Sequence, residues 1–536
     1  MMCSRLLKPH KLERNGWEER VVDFIDRNFE RLSKGYARTL NGSLNYLPVT
    51  AVFAVIILAS IYFLYGSANS ELAPQEDQGV IITLSTSAPD ATLQQRLVYA
   101  DQVYEKFIKH PETDHVFQLN SPGQSIAGTV LKPWDERKLT ATELQPMIQQ
   151  EMNEIAGVRV AAFQPPPLPG SRGLPVQFVI GTTESFDQLN TMMQQFMQEA
   201  QKSGMFIFLD TDLKYDQPQS QVEIDRNKAA LLGLTMQDVG SSLASMLGGG
   251  YVNYFSMAER SYKVIPQIQQ SSRLNADQLR NYYIRAANGA TVPLSTIATI
   301  NTKTVPQSLN HFQQLNAAII AGVPFPGVTL GDAIKSLKAI AVKVLPPGYS
   351  VDYAGQSRQL VRESSGFAYT FLFALVIIFL ALAALFESFR DPLIILVSVP
   401  MSIAGALIFI ALGIGEATLN IYTQVGLVTL MGLISKHGIL IVEFANIKQK
   451  EGLSKRAAIE TAAGIRLRPI LMTTAAMVLG VLPLIFATGA GAVSRFNIGL
   501  VIATGIAIGT LFTLFVVPAV YLLIGQNHSK LAANIV

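Results

Sequence analysis

Six stretches of roughly twenty largely apolar residues punctuate an otherwise mixed chain, each long enough to cross the hydrocarbon core of a bilayer as a helix. They run approximately from Tyr46 to Gly66, Phe367 to Phe386, Pro392 to Gly413, Ile421 to Ile447, Ile470 to Gly489 and Phe496 to Gly525. Lysine and arginine crowd residues 5 to 38 and 448 to 468, which the positive-inside rule places in the cytoplasm. Six spans then put both ends on that side, the tail 527 to 536 included, and leave residues 67 to 366 on the far side. About three hundred residues are too many for a plain connection, so that segment is expected to be a domain. Ahead of the first span, Trp17, Val21, Ile25, Phe29, Leu32, Tyr36 and Leu40 recur at helical spacing among charged neighbours. They predict an amphipathic helix in the cytoplasmic segment 1 to 45, lying on the leaflet or packed on other protein.

Within residues 67 to 366 short strand patterns alternate with amphipathic helix patterns: GVIITLST, ATLQQRLVYADQVYEKFI, HVFQL, ATELQPMIQQEMNEI, VRVAAF. A second set, LPVQFVIG, SFDQLNTMMQQFMQEAQ and MFIFLD, repeats the rhythm, so repeated small α/β units are expected. Asp90, Thr140 with Glu143, and Asn275 with Gln278 read as helix starts whose side chains satisfy first-turn amides. QPPPLPGSRG, residues 164 to 173, cannot be helix or central strand, since its prolines lack amide donors, and it reads as a subdomain boundary.

Composition agrees with a membrane protein. Hydrophobic residues make up 49% of 536, charged residues 15%, and mean hydropathy is +0.30. The net charge of +3, with no basic stripe, points away from nucleic acid. Cys3 stands alone, so there is no intrachain disulfide and no cysteine metal cage, and the six histidines lack metal-site spacing. The start, MMCSRLLKPHKLERNGWEER, has no apolar h-region. No G-x-S-x-G, P-loop or GxGxxG occurs, so neither an enzyme nor a cofactor is implied. Gly248 to Gly250 read as a turn, and Met192, Met193, Met197 and Met205 as core filler rather than a soft-metal site.

The informative charge lies in the fourth stretch, QVGLVTLMGLISKHGILIVEFANI. Lys436 sits close to mid-depth, where an ammonium costs about 2.5 to 3.5 kcal/mol even on lenient insertion scales and should be paired or used. Glu443 is a poor partner, roughly 10 Å further along the axis toward the cytoplasm. No other carboxylate is read at membrane depth, so the counter-ion of Lys436 is expected from another polypeptide or a missing segment. His437 reads as a packing or hydrogen-bonding residue, and Gly499, Gly505 and Gly509 as sites of close helix approach.

PQEDQG, VEIDRNKAALLGLT, GGGYVNYF, ATVPLS, LPPGYSVDYAGQ, LAALFESFRDPL, VGLVTLMGLISKHGILIVEF and IRLRPILMT follow one another in register. Together they resemble the C-terminal half of the resistance-nodulation-division (RND) permeases of the hydrophobe and amphiphile efflux branch. The resemblance implies a membrane α-helical bundle of six transmembrane helices plus a large α/β periplasmic region of ferredoxin-like porter units and a funnel or docking unit, about residues 222 to 305. It implies a bacterial inner-membrane location, a homotrimer, a periplasmic adaptor, an outer-membrane channel, and drug/proton antiport of small hydrophobic or amphiphilic compounds. Lys436 becomes the relay lysine, Thr473 its hydroxyl partner on the next span, and Arg466 a residue at the cytoplasmic mouth. The acidic pair belongs to the first half, which MMCSRLLKP suggests is absent here. Phe117 and Phe163 match candidate substrate-pocket aromatics, while residues 116 to 130 are otherwise poor in the phenylalanines that broad-specificity relatives carry. A soft-metal exporter, a protein-export auxiliary subunit and an inactive truncated fragment are the alternatives.

Overall fold

The computed structural model describes residues 17–121, 125–170, 173–286 and 288–527. Cys3, most of the tail 527 to 536, the middle of the segment 116 to 130 and two residues of the separator 164 to 173 lie outside them.

Six helices are long and apolar enough to cross a membrane: Leu47–Ser67, Gly355–Phe386, Arg390–Ala411, Ile421–Lys450, Lys455–Ile485 and Ala492–Ile524, numbered here spans 1 to 6. Spans 2 and 5 start well ahead of the apolar stretches that announce them. The extra turns of span 2 pack Leu360 into the α/β domain, and those of span 5 bury Ala458, Ile459, Ala462 and Ala463. A helix continues past the bilayer wherever protein covers one of its faces, and apolar run length is blind to that. Spans 3, 4 and 6 form the buried centre, and spans 1, 2 and 5 expose most of their surface.

In lipid, apolar area gains little by leaving one apolar medium for another, so helices associate through small residues and interhelical hydrogen bonds. Spans 3 and 6 do both. Ser402 Oγ donates to the Gly505 carbonyl at 2.7 Å, and a Cβ built on Gly509 would lie 2.8 Å from the backbone Cα of Ser402.

The helix Trp17–Asn45 lies against spans 5 and 6. Tyr36, Leu40 and Leu44 enter the membrane-bundle core, Tyr36 donating to the Leu514 carbonyl at 2.7 Å, and Arg468 pairs with Asp26 at 2.9 Å. Phe24 and Leu32 stay exposed, so the helix packs on protein along one stripe and leaves apolar side chains outward. For Trp17, Val21 and Ile25 only the helical backbone is described.

Residues 80 to 353 form three α/β units. In the first, β1 (Val80–Ser87), β2 (Thr113–Asn120), β3 (Ser125–Leu131) and β4 (Val158–Phe163) make an antiparallel sheet in the order β2-β3-β1-β4. The helices Leu93–Ile108 and Ala141–Met152 pack Phe107, Leu144, Ile148 and Met152 against Ile81 on one face. This is the β-α-β-β-α-β order of a split βαβ unit. The second unit repeats it. β5 (Val176–Thr182) is followed by the helix Phe186–Lys202 and β6 (Phe206–Thr211). After a long insertion come β14 (Leu315–Pro324), the helix Leu330–Val344 and β15 (Tyr349–Tyr353).

The insertion is the third unit. It pairs β7 (Tyr215–Ile224) with β12 (Ala298–Pro306) and carries the exposed hairpin β8 (Asn253–Met257) and β9 (Arg260–Val264) and the short pair β10 (Tyr283–Arg285) and β11 (Thr291–Pro293). The chain then returns through β13 (His311–Phe312), β14 (Leu315–Pro324) and β15 (Tyr349–Tyr353) to the second sheet.

The separator after Phe163 divides the first two sheets, as its prolines predict. Thr140 and Glu143 form a reciprocal capping box, and Asn275 accepts from the Gln278 amide to open a 3-10 turn. The helix expected to start at Asp90 is instead capped by Thr92, which accepts from the Gln95 amide. Gly248, at φ 81°, ends the helix Met236–Leu247 in the left-handed conformation and forms the anticipated turn. Met193 is core filler in the second unit.

Candidate functional site

Span 4 begins at an Asn420 cap, whose side chain accepts from the amides of Tyr422 and Thr423, and runs through the centre of the bundle. Ile434, Ile441 and Val442 are buried on its packed faces. One stripe is left uncovered: Val425, Thr429, Gly432, Lys436, Glu443 and Ile447 are exposed, at spacings of three, four or seven residues. A stripe of this kind is a surface on which another helix can pack, a seam. Lys436 lies in its middle and makes no hydrogen bond or ion pair among the described residues. Glu443 shares the seam but points outward two turns further on.

No hydrogen bond joins the three candidate relay residues. Thr473 is half-buried and its hydroxyl donates to the Ile470 carbonyl of its own helix at 3.0 Å. Arg466 lies with its guanidinium carbon 4.5 Å from the centre of the Phe444 ring, and its Nε has no partner. Lys448 approaches the same ring at 5.4 Å, so two cations flank one aromatic near the end of span 4.

Two clusters escaped the reading of the sequence. His437 is fully buried, with Thr510 Oγ1 3.3 Å from Nδ1, Thr474 Oγ1 3.5 Å from Nε2, and the two hydroxyls 3.1 Å apart. This ties spans 4, 5 and 6 together directly behind Lys436, which suits the hydrogen-bonding role expected of His437. The second cluster surrounds Asp391, 2% exposed at the start of span 3. Its Oδ2 accepts from Asn446 at 2.9 Å, Asn446 accepts from Tyr521 at 2.6 Å, and Tyr521 accepts from Gln449 at 2.6 Å, while Oδ1 has no partner. Asp391 thus adds a buried carboxylate at one end of a span where the sequence suggested none. The only hint was its place beside Pro392, which reads as a flanking residue.

In the first α/β unit, Phe117 and Phe163 stand on opposite edge strands yet in one row. Phe117 is opposite Gly128, Gly128 opposite Ile82, and Ile82 opposite Phe163. Directly opposed residues share a face, so both rings lie on the side away from the helices, roughly 14 Å apart across three strand spacings. Phe117 is exposed and rests on Gly128, where an added Cβ would come 2.4 Å from its ring. Phe163 is buried between the two sheets, with Leu174 and Val323. Toward the start of β4 a cleft of about 390 Å³ opens between the units, bordered by Arg159, Gln201, Phe206 and Phe208, with Arg159 paired to Asp210 at 2.7 Å.

Residues 1–525 match the AcrB/AcrD/AcrF family. The chain belongs to that family. Similar proteins include one called "Uncharacterized transporter" from Haemophilus influenzae, 41% identical over 99% of this chain and 52% of its own length. "Multidrug/solvent efflux pump membrane transporter MepB" of Pseudomonas putida is 32% identical over 98% of this chain and 51% of its own length. "Multidrug export protein AcrF" of Escherichia coli is 29% identical over 98% and 52%. The chain therefore spans about half the length of the relatives it matches.

Proposed function

We propose that this AcrB/AcrD/AcrF-family chain is one half of a proton-motive-force-driven RND efflux transporter, exporting hydrophobic or amphiphilic compounds from the periplasm or outer leaflet. The observation that carries the reading is Lys436, unpaired at the middle of an open seam on the central helix. A half-length chain whose central helix keeps one face uncovered is suited to receive a second six-helix half that supplies an acid. Protonation of that acid would break the Lys436 pair, and the rearranged spans 4 to 6, linked through His437, Thr474 and Thr510, would pass the movement on. Thr473, on span 5 next to the Thr474 that meets His437, would receive the released ammonium after a rotamer change, and Arg466 would hold the helix end through Phe444.

In this reading the first two α/β units are porter units and the third, with its exposed β8–β9 hairpin, is the docking unit that meets the adaptor and outer-membrane channel in a trimer. The family membership and the names of the relatives support efflux as the activity.

Phe117 is the exposed end of the aromatic row and is assigned to the substrate surface. Gly128→Val would lift its ring off the sheet. An aromatic contact is worth about 0.5 to 1.5 kcal/mol, so resistance to aromatic compounds should change roughly two- to tenfold while resistance to aliphatic solvents stays level. Equal changes for both, measured as growth inhibition in cells producing equal protein, would remove Phe117 from the substrate surface.

A further inference from the structure

One short segment, residues 69 to 77, ties the membrane helices to the α/β domain. Ala68, just before it, is buried in the membrane core with Leu419, and Leu72 is buried in the core of the second α/β unit. Between them the backbone pairs with the residues leading into span 4. Leu419 N–H donates to Asn69 at 2.7 Å, Glu71 N–H to Leu419 at 3.1 Å, and Ile421 N–H to Leu72 at 3.2 Å. On the other edge the Ser70 carbonyl accepts from Gly331 N–H at 3.0 Å, at the start of the helix Leu330–Val344. A Cβ on Gly331 would lie 2.2 Å from that oxygen, so only glycine fits. Further along, Glu76 accepts from the Ser494 amide of span 6 at 2.7 Å, and Asp77 accepts from the Ala141 amide at 2.8 Å in the first unit.

Glu71 is the chemically unusual member. Its carboxylate accepts from Thr418 Oγ1, which also accepts from Nδ2 of Asn420, the cap of span 4, at 2.9 Å. The charges that bear on it are both acidic: Glu416 in the turn before span 4, and Asp332 in the first turn of the helix Leu330–Val344. Lys335 is turned to Asp332 at 3.6 Å, Glu76 is engaged by Ser494, and Arg495 is spent on the carbonyls of Ala490 and Gly491. Burial first, then Glu416 and Asp332, outweigh the Thr418 hydrogen bond and push the Glu71 carboxyl up to about 7.

We propose that Glu71 is a proton-sensitive positioning residue that fastens the start of the lysine-bearing helix to the α/β domain when neutral and releases it when ionised. The neutral group stays sealed between two acids and keeps its bond to Thr418. Among the described residues the ionised group has no cation in the junction, and it gains by turning to water, taking Thr418 and the Asn420 cap out of register with the strap. The inference rests on the efflux reading only for its consequence, that movement of span 4 reaches the porter units through this strap.

The sign follows from linkage. A carboxyl raised in the folded state contributes stability that is full below the ordinary carboxylate range and is lost as pH rises through about 7. Amide hydrogen exchange across residues 419 to 423 tests this on the full chain in nanodiscs at pH 5.5 and 8.5, corrected for the intrinsic rate. Wild type should exchange about tenfold faster at the higher pH, Glu71→Gln slowly at both, and Thr418→Val fast at both. A wild type without pH response, or a Glu71→Gln chain with the same response, overturns the latch. The readout needs no transport, so loss of the latch leaves the efflux reading standing, and loss of efflux leaves the latch standing.

Discussion

Lys436→Ala is expected to reduce efflux by the assembled transporter to the background of cells lacking the chain, with expression and folding unchanged. Folding should survive because the side chain is exposed on this chain and bonds to none of its described residues. Function should not, because an ammonium at mid-depth is tolerated only when an acid offsets a cost of about 2.5 to 3.5 kcal/mol, and an offset that depends on protonation is the coupling itself. Lys436→Arg keeps the charge but replaces a compact ammonium with a planar fork, so partial activity is expected at best. Resistance and proton uptake, measured together in inverted vesicles, check both variants. Wild-type levels in Lys436→Ala would remove the relay assignment.

The second large effect separates the inside of the bundle from its seam. Gly509→Leu forces a side chain into a gap where even a Cβ would sit 2.8 Å from the backbone of Ser402, so spans 3 and 6 must part and the Ser402–Gly505 bond must stretch. Overpacking costs about 1 to 3 kcal/mol where neighbours can yield, and a backbone neighbour cannot, so a loss of about 3 kcal/mol and most of the folded yield is expected. Gly432→Leu, on the seam with nothing within 4 Å, should leave the isolated chain as stable as wild type or slightly more so, since glycine is a poor helix former. The same change should block assembly with the second half and so abolish efflux. Thermal melts of the purified chain and co-purification of the partner give the two readouts. A Gly432→Leu chain that transports normally would mean the seam faces lipid.

Some of this architecture was legible because it is written locally. Each span is marked by a contiguous apolar run, Thr140 and Glu143 announce a cap within four residues, and Lys436 stands out against the apolar residues around it. Features made by distant pairings were not. His437 meets Thr474 and Thr510 across 37 and 73 positions, and Thr418 reaches Glu71 across 347, with no periodicity to signal either. Strand and helix patterns gave the α/β rhythm but not the antiparallel order, which depends on which edges pair, nor the third unit's place as an insertion between β6 and β14. Asp391 passed as a flanking charge because exposure cannot be read from hydropathy at a helix end.

The acid proposed to face Lys436 would come from outside these 536 residues. A lipid-soluble carbodiimide applied to native membranes joins an amine to a carboxyl in direct contact, and mass spectrometry of the digested complex identifies both peptides. The Lys436 peptide is expected to be amide-bonded to an aspartate or glutamate peptide absent from this sequence. An unmodified Lys436 peptide, or one joined to Glu443 of its own helix, would contradict that proposal.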